Sequence, residues 1–213
     1  MLLLSVNVGL PREVTANART VTTGIFKQPV AGRVRVRTLN LDGDGQADLT
    51  VHGGIDKAVY AYPHEHYAHW ESQLNRRDFT PGQFGENLTT SGLLEDDVRI
   101  GDRYAIGSAR FEVSQPRVPC FKLALRMELP QFPKLFLKSQ RTGFYLRVVQ
   151  EGEIGPGDAI IRLATDPQQT TVREVFDAAY GERAERATLQ RALEMPALAT
   201  SWREMFAERL AKE

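Results

Sequence analysis

The chain has 213 residues, in which 27 Lys and Arg balance 27 Asp and Glu, and it contains one cysteine. This length is typical of a single medium-sized domain, or of one domain with a small appendage, and it can bury a substantial core. The lone cysteine excludes an intramolecular disulfide framework, and the zero formal charge argues against nucleic acid or an anionic membrane as the main partner.

Residues 1–8 form an apolar stretch that lacks a basic segment and a small-residue cleavage site. We therefore interpret it as a first β-strand rather than a signal peptide. No run of about 18 apolar residues, the length needed to cross a bilayer, occurs in the sequence. We expect no membrane span and a cytoplasmic location.

The first two thirds of the chain show the pattern of short strands separated by turns. In residues 32–41, valines alternate with arginines, which is the period-2 pattern of a half-buried strand. Further strands are predicted at residues 58–62, 98–106, 110–114, 143–149 and 159–163. One helix is predicted after Pro63 and another from about Pro119 to Met127. Frequent strands without regular βαβ alternation favour an α+β fold with a β-rich, barrel-like domain.

The last 44 residues have a different pattern. A polar linker at residues 165–169 is followed by apolar residues at the i, i+3, i+4, i+7 spacing of amphipathic helices. Thr171 with Glu174, and Ser201 with Glu204, match the capping box that starts a helix. We predict a main domain over residues 1–166 and a small three-helix domain over residues 170–213.

The acidic segment 42–48 has the start of a calcium-binding loop. Asp42 and Asp44 fit its first and third positions, but Ala47 stands where glycine is needed at the sixth and Gly53 where glutamate is needed at the twelfth. We therefore reject an EF-hand and predict a hairpin turn.

The segment His52-Gly53-Gly54, followed by Lys57, is a candidate anion site. Paired glycines permit positive φ and bring bare N–H groups close to a ligand, and the lysine adds positive charge. An ordinary turn explains the same residues, so the two interpretations remain open.

Three histidines cluster at His64, His66 and His69. His66 and His69 are three residues apart and could share a helix face, but His64 lies away from them and no cysteine is near. We favour a solvated amphipathic helix over a metal site.

Cys120 lies in the segment Pro116-Arg117-Val118-Pro119-Cys120. The second proline can open a helix, so the sulfur is expected near a helix N-terminus. That helix end, Arg117 and Lys122 all favour the thiolate, which can act as a nucleophile or as a metal ligand. Another polar segment, Glu86-Asn87, follows Gly85 in a loop and is by itself consistent with a capped turn.

Taken together, these segments resemble the MOSC family, named after the C-terminal domain of molybdenum cofactor sulfurase, and within it the bacterial YiiM-like branch. The resemblance covers nearly the whole chain, including the helical tail. The matching segments are residues 23–30, 46–48 with 52–62, 85–88, 115–123, and 143–148 with Gly152.

The resemblance implies a domain that binds a molybdenum–pterin cofactor, with Cys120 as the protein thiolate ligand of molybdenum. It also implies reduction of N-hydroxylated compounds, such as hydroxylamines and N-hydroxylated purines, with electrons from a separate flavin- or haem-based protein. The oligomeric state stays open: the amphipathic tail can pack on its own domain or on a second subunit, which would give a homodimer.

Residue roles follow from this resemblance. Candidates for binding the cofactor phosphate are Lys27, Gly53, Gly54, Lys57 and Arg117, because a phosphate needs cations and N–H donors. Candidates for the other roles are Asn87 as a hydrogen-bond partner of the pterin, His52 as proton donor and Glu86 as the group that orients His52.

Three alternatives remain. A non-catalytic carrier of molybdenum cofactor or of sulfur would use Cys120 without reductive turnover. A cofactor-free hydrolase or transferase would pair Cys120 with His52. A pyridoxal phosphate enzyme would use Lys57 as the Schiff-base lysine.

Overall fold

A computed structural model of the chain describes residues 1–16, 19–47, 53–181 and 186–212. The strands are β1 (Leu2–Val8), β2 (Arg12–Ala16), β3 (Arg19–Thr23), β4 (Gln28–Pro29), β5 (Val34–Val36), β6 (Val59–Pro63), β7 (Leu88–Ser91), β8 (Arg103–Ile106), β9 (Ala109–Pro116), β10 (Phe144–Gln150), β11 (Gly152–Ile154) and β12 (Ile160–Ala164). The helices are α1 (Glu65–Leu74), α2 (Phe121–Met127), α3 (Phe132–Ser139), α4 (Val172–Tyr180), α5 (Arg186–Leu193) and α6 (Thr200–Leu210), and a short 3-10 turn spans Ile55–Lys57.

Eight strands form one sheet in the order β12-β8-β9-β10-β6-β7-β1-β4, and two small pairs, β5 with β11 and β2 with β3, accompany it. All neighbours in the large sheet are antiparallel except β6 and β7, which are parallel. In β1, apolar side chains such as Leu3 and Val6 are buried while Leu2 and Leu4 are exposed. The chain therefore has the predicted α+β class.

The expectation of a barrel-like domain is wrong in one respect, because the sheet does not close into a barrel. Strand β1 meets the segment before β12 only at an isolated bridge between Leu2 and Ala159. Backbone hydrogen bonds of Met1 and Leu3 support that bridge, but the ladder does not continue along β12. No continuous hydrogen-bonded ladder therefore joins β1 to β12.

The C-terminal helices α4, α5 and α6 confirm the predicted three-helix segment and pack on the sheet. Val172, Leu189 and Phe206 are fully buried in the same apolar cluster as the sheet residues Val113 and Phe144. The backbone also joins the two parts, since Ala199 N donates to Ser114 O at 3.1 Å and Val172 N to Val98 O at 2.9 Å. The tail and the sheet therefore share one core.

The two predicted helix starts in the tail have different outcomes. Thr171 Oγ1 accepts a hydrogen bond from Glu174 N, and the Glu174 carboxylate accepts one from Thr171 N, so the capping box of α4 is confirmed. The second box is wrong, because α6 begins at Thr200 with Ala199 as its N-cap and no side-chain cap.

Other predicted elements agree with the structure in kind but differ in extent. The predicted helices after Pro63 and Pro119 are α1 and α2. The strand predicted over 98–106 begins only at Arg103, because residues 98–102 form a turn held by Asp102, whose carboxylate accepts from Arg99 N. In the described part of the chain, no helix is long and apolar enough to cross a membrane.

Candidate cofactor cleft

A cleft between the N-terminal loops, the 3-10 turn and the start of α2 contains the cysteine; we call it the Cys120 cleft. Its space, counting the part that opens to solvent, is about 560 Å³. Its lining among the described residues is Thr23, Gly24, Ile25, Lys27, Asp44, Gly45, Gln46, Ala47, Lys57, Tyr60, Gly85, Asn87, Arg117, Cys120, Lys122 and Tyr145.

Cys120 lies at the N-cap of α2, as the prolines predict. Its backbone is extended, with φ −122° and ψ 171°, and its side chain is partly exposed. Before it, Arg117 N donates to Gly143 O at 3.1 Å, which ties the loop to the start of β10. The loop therefore holds the thiol at the cleft wall.

Arg117 is the buried cation beside this thiol. Its guanidinium hydrogen-bonds to Cys120 and lies 5.4 Å from the centre of the Tyr60 ring. Burial by itself lowers the pKa of Arg117, but interactions with Tyr145, Cys120 and Tyr60 outweigh it and raise that pKa above its usual value. Arg117 is therefore a permanent positive charge in contact with the sulfur.

Lys57 and Lys122 add two more cations to the cleft wall. Lys57 ends the 3-10 turn, where burial and the charge of Arg117 lower its pKa. Lys122 is buried on the first turn of α2. Together with Arg117, these side chains form a basic wall around Cys120.

Lys27 lines the same cleft but is paired within the protein. Its ammonium group bonds to Asp44, whose other carboxylate oxygen accepts from Asn87 Nδ2 at 2.8 Å. Asn87 Oδ1 in turn accepts from Tyr60 N at 3.1 Å. Burial lowers the pKa of Lys27 despite the opposite effect of Asp44. Lys27 and Asn87 therefore belong to a buried network in the wall.

Glu86 does not line the cleft, although it neighbours Asn87. It is fully buried, and its carboxylate accepts hydrogen bonds from Tyr67 Oη, Gly82 N, Phe84 N and Thr89 Oγ1. Burial raises its pKa, while these donors oppose that effect. The donors lie on α1, on the loop before Glu86 and on β7, so Glu86 supports the loop that carries Asn87.

The candidate anion nest is only partly described. His52 lies outside the described residues. Gly54 has φ +90°, a conformation that glycine adopts easily, and it precedes the 3-10 turn, with Lys57 N donating to Gly54 O at 3.1 Å. Gly53 and Gly54 are not among the described lining residues of the cleft, although Lys57 is. The nest stays a prediction.

The histidine cluster belongs to the packing of α1. His66 is buried rather than solvated, and its ring nitrogen lies 2.7 Å from the carboxylate of Glu95. Elsewhere too, the described residues bring no three His, Cys, Asp or Glu together as a metal site. The expectation of a solvated helix is therefore wrong at His66.

Sequence analysis missed several residues of the cleft, among them Asp44, Tyr60 and Tyr145. Asp44 looked like an ordinary turn residue. Tyr60 and Tyr145 lie on predicted strands, but only the pairing of β6 with β10, in which Tyr145 is opposite Tyr60, brings their rings to a centroid distance of 5.4 Å. Strand pairing of this kind cannot be determined from a local pattern.

Comparison with known proteins places this cleft in a family. The family model of the MOSC domain matches residues 48–161, and the model of the YiiM-like 3-alpha helix domain matches residues 171–213. The chain belongs to the MOSC-domain family. Half of the described lining of the Cys120 cleft lies within the matched MOSC residues, and the other half, which includes Lys27 and Asp44, lies in the segment that precedes them.

Related proteins cover nearly the same length. The uncharacterized protein YflK of Bacillus subtilis is 39% identical over 95% of this chain and 91% of its own. The protein YiiM of Escherichia coli is 34% identical over 84% and 81%. The crystal structure of YiiM from Geobacillus stearothermophilus is 41% identical over 98% of both chains, with a TM-score of 0.82.

A protein named a reductase also matches, but more partially. The reductase of Gibberella moniliformis is 36% identical over 146 residues, which are 67% of this chain and 26% of that protein.

Proposed function

We propose that this MOSC protein binds a molybdenum–pterin cofactor in the Cys120 cleft and reduces N-hydroxylated compounds, such as hydroxylamines and N-hydroxylated purines. The electrons would come from a separate flavin- or haem-based reductase. The observation that carries this proposal is the placement of Cys120 in one cleft with Arg117, Lys57 and Lys122. We extend the proposal to a cytoplasmic location and a homodimer.

The donor set of the cleft fits this cofactor. A thiolate is a ligand for soft and strongly Lewis-acidic metals, and the Arg117 guanidinium beside Cys120 would stabilise negative charge on the sulfur. Among the described residues, Cys120 is the thiol of the cleft, so it is the residue that would hold the metal.

The basic wall fits the terminal phosphate of a pterin cofactor. Arg117 can donate two parallel hydrogen bonds to a phosphate, and the lysine ammonium groups add point charges. Lys27 contributes less, because Asp44 already neutralises it. We assign phosphate binding mainly to Lys57, Arg117 and Lys122, and keep Gly53 and Gly54 as candidate N–H donors.

When bound, the molybdenum centre would supply the two-electron redox chemistry. The chain itself would orient the substrate and deliver protons. His52 remains our candidate proton donor, because a histidine titrates near neutrality. The Glu86 carboxylate is engaged by hydrogen bonds within the protein, so we assign it a supporting rather than a catalytic role. The Tyr60 and Tyr145 rings give the cleft an aromatic side suited to planar substrates.

The reductase of Gibberella moniliformis supports the redox assignment in a limited way. The name refers to the whole fungal protein, and the part that matches this chain is about a quarter of it. The match leaves most of that protein without a counterpart in this chain, which is consistent with an external electron donor for the present chain.

The test is the molybdenum and pterin content of protein made in a molybdenum-replete host. We expect wild type to hold the metal and Cys120→Ser to lack it. Phe121→Ala is the matched control, because this neighbouring side chain is 58% exposed. If wild type and Cys120→Ser hold equally little molybdenum, and wild type cannot be reconstituted, the cofactor assignment is wrong.

Turnover separates the proposal from its alternatives. With reduced methyl viologen as donor, the loaded protein should convert an N-hydroxylated base analogue to the amine. A carrier would hold molybdenum without turnover. A Cys120–His52 hydrolase would be labelled by an electrophilic substrate analogue without metal, and a pyridoxal phosphate enzyme would show Schiff-base absorbance that Lys57→Gln removes.

A further inference from the structure

The side of the Cys120 cleft that carries Lys57 is connected to the C-terminal helices through one arginine. Arg147 lies on β10, and its guanidinium makes three contacts with different parts of the chain. Its Nε donates to Asp56 Oδ1 at 2.5 Å, and its Nη1 donates to Glu112 Oε1 at 3.0 Å and to Ala197 O at 2.7 Å. Asp56 precedes Lys57 in the 3-10 turn, and Ala197 lies in the loop between α5 and α6.

A second set of bonds runs beside the first. Ser114 Oγ lies 2.6 Å from Asp56 O and 3.0 Å from Tyr145 O, and Ser114 O accepts from Ala199 N at 3.1 Å. The loop before α6 therefore contacts the residues that hold Asp56 and Tyr145. Lys57 and Tyr145 line the cleft on the other side of these contacts.

We propose that Arg147 is a positioning residue through which the C-terminal three-helix segment holds the Lys57 side of the Cys120 cleft in place. The 3-10 turn is three residues long and buries none of its side chains, so it lacks a core of its own. Arg147, with 17% of its side chain exposed, supplies the missing anchor. This inference deepens the proposed function because it concerns the same cleft, but its test needs no bound cofactor.

The single cysteine makes a direct test available. Alkylation of Cys120 by iodoacetate, an anion, depends on the positive charges around the thiol, whereas alkylation by neutral iodoacetamide depends on them much less. The ratio of the two rate constants, at one pH and ionic strength, therefore reports the placement of Lys57 relative to the thiol. The measurement uses protein made without molybdenum, in which no metal blocks the thiol.

The test compares Arg147→Lys and Arg147→Met with Arg103→Met. Arg103 pairs with the same Glu112 at 2.8 Å, but its side chain does not bond to Asp56 or Ala197. Lysine keeps the positive charge of Arg147, but a single ammonium group cannot reach all three acceptors that the planar guanidinium contacts. We expect both Arg147 variants to lower the ratio by about two- to five-fold, which is the effect of displacing one positive charge near the solvent. We expect Arg103→Met to leave the ratio unchanged.

A double-mutant cycle shows whether Arg147 acts through Lys57. In a Lys57→Gln background, Arg147→Lys should cause no further drop in the ratio. The proposal is overturned if Arg147→Lys keeps the wild-type ratio, if Arg103→Met lowers it equally, or if the two changes at 57 and 147 are additive. A fall in melting temperature with an unchanged ratio also overturns it, because the role of Arg147 would then be structural only. Should Arg147→Met fail to fold, the Arg147→Lys result decides by the same criteria.

Failure of this inference and failure of the proposed function give different results. An unchanged alkylation ratio leaves the molybdenum content of wild type unaffected. Conversely, a protein that never binds molybdenum could still show the predicted ratios.

Discussion

Lys27 and Asp44 form a buried ion pair in the wall of the Cys120 cleft, and Asp44 also accepts hydrogen bonds from Gly9 N and Asn87 Nδ2. The pair and its hydrogen bonds join the loop after β1, the loop before β4, the loop after β5 and the loop before β7. They therefore fix four chain segments around the cleft, and the pairing removes Lys27 from the charges available to an anionic ligand.

Replacing Asp44 by asparagine should strongly destabilise the protein. The change leaves the Lys27 ammonium group buried without its counter-charge, and removal of one partner of a buried pair costs about 3–5 kcal/mol. Urea unfolding of Asp44→Asn measures this loss. The double variant Lys27→Met with Asp44→Asn should recover part of it, and a double variant less stable than Asp44→Asn would contradict the role of the pair.

The basic wall should bind a phosphate-like anion through Lys57 and Lys122. We expect Lys57→Gln and Lys122→Gln each to weaken the binding of inorganic pyrophosphate by about tenfold, the loss expected for one hydrogen bond to a charged group. Titration calorimetry at low ionic strength measures it. Lys138→Gln, which changes an exposed lysine of α3, is the control. Equal effects of all three changes would show that only overall charge matters.

The lowered pKa of Lys57 predicts a pH-dependent stability. Burial and Arg117 hold this pKa below the ordinary value of 10.5 in the folded chain. Between the folded pKa and 10.5, the unfolded chain binds a proton that the folded chain does not, so the free energy of unfolding rises with pH. Below the folded pKa both states are protonated, and Lys57 adds no slope.

Urea unfolding of wild type and Lys57→Met at several pH values up to 10.5 tests this. The stability difference should shift in favour of wild type as the pH rises into that window. Parallel profiles for the two proteins would show that Lys57 titrates alike in both states.

Glu86 should matter for stability rather than for binding. In Glu86→Gln, an amide N–H₂ replaces a carboxylate oxygen that accepts hydrogen bonds, so it faces other donors. Loss of buried hydrogen bonds costs about 1–3 kcal/mol. We therefore expect Glu86→Gln to lower the free energy of unfolding by this amount and to leave the affinity for pyrophosphate unchanged. A loss of affinity at full stability would instead restore a role in the site.

The sequence was most informative where local rules decide the structure. The valine–arginine alternation at Val34–Val36 and the capping box at Thr171 needed no distant partner, and both correspond to observed elements. The proline-braced approach to Cys120 likewise predicted its place at the start of α2. Backbone preferences within a few residues account for these successes.

Long-range pairing accounts for most of what was missed. Glu86 accepts a hydrogen bond from Tyr67, 19 residues away, and Asp44 meets Lys27 and Asn87 from other loops. No spacing in the sequence signals such contacts. For the same reason, the open sheet could not be distinguished from a closed one, and the domain boundary between residues 166 and 170 remains a prediction.

The shared core of tail and sheet has a practical consequence for anyone shortening this protein. A fragment that ends before Thr171 would lose Val172, Leu189 and Phe206, and the apolar surface of β9 that they cover would face water. Large newly exposed apolar patches promote self-association. Recombinant work on the MOSC part alone would therefore require either the helices or a polar redesign of the face that they leave behind.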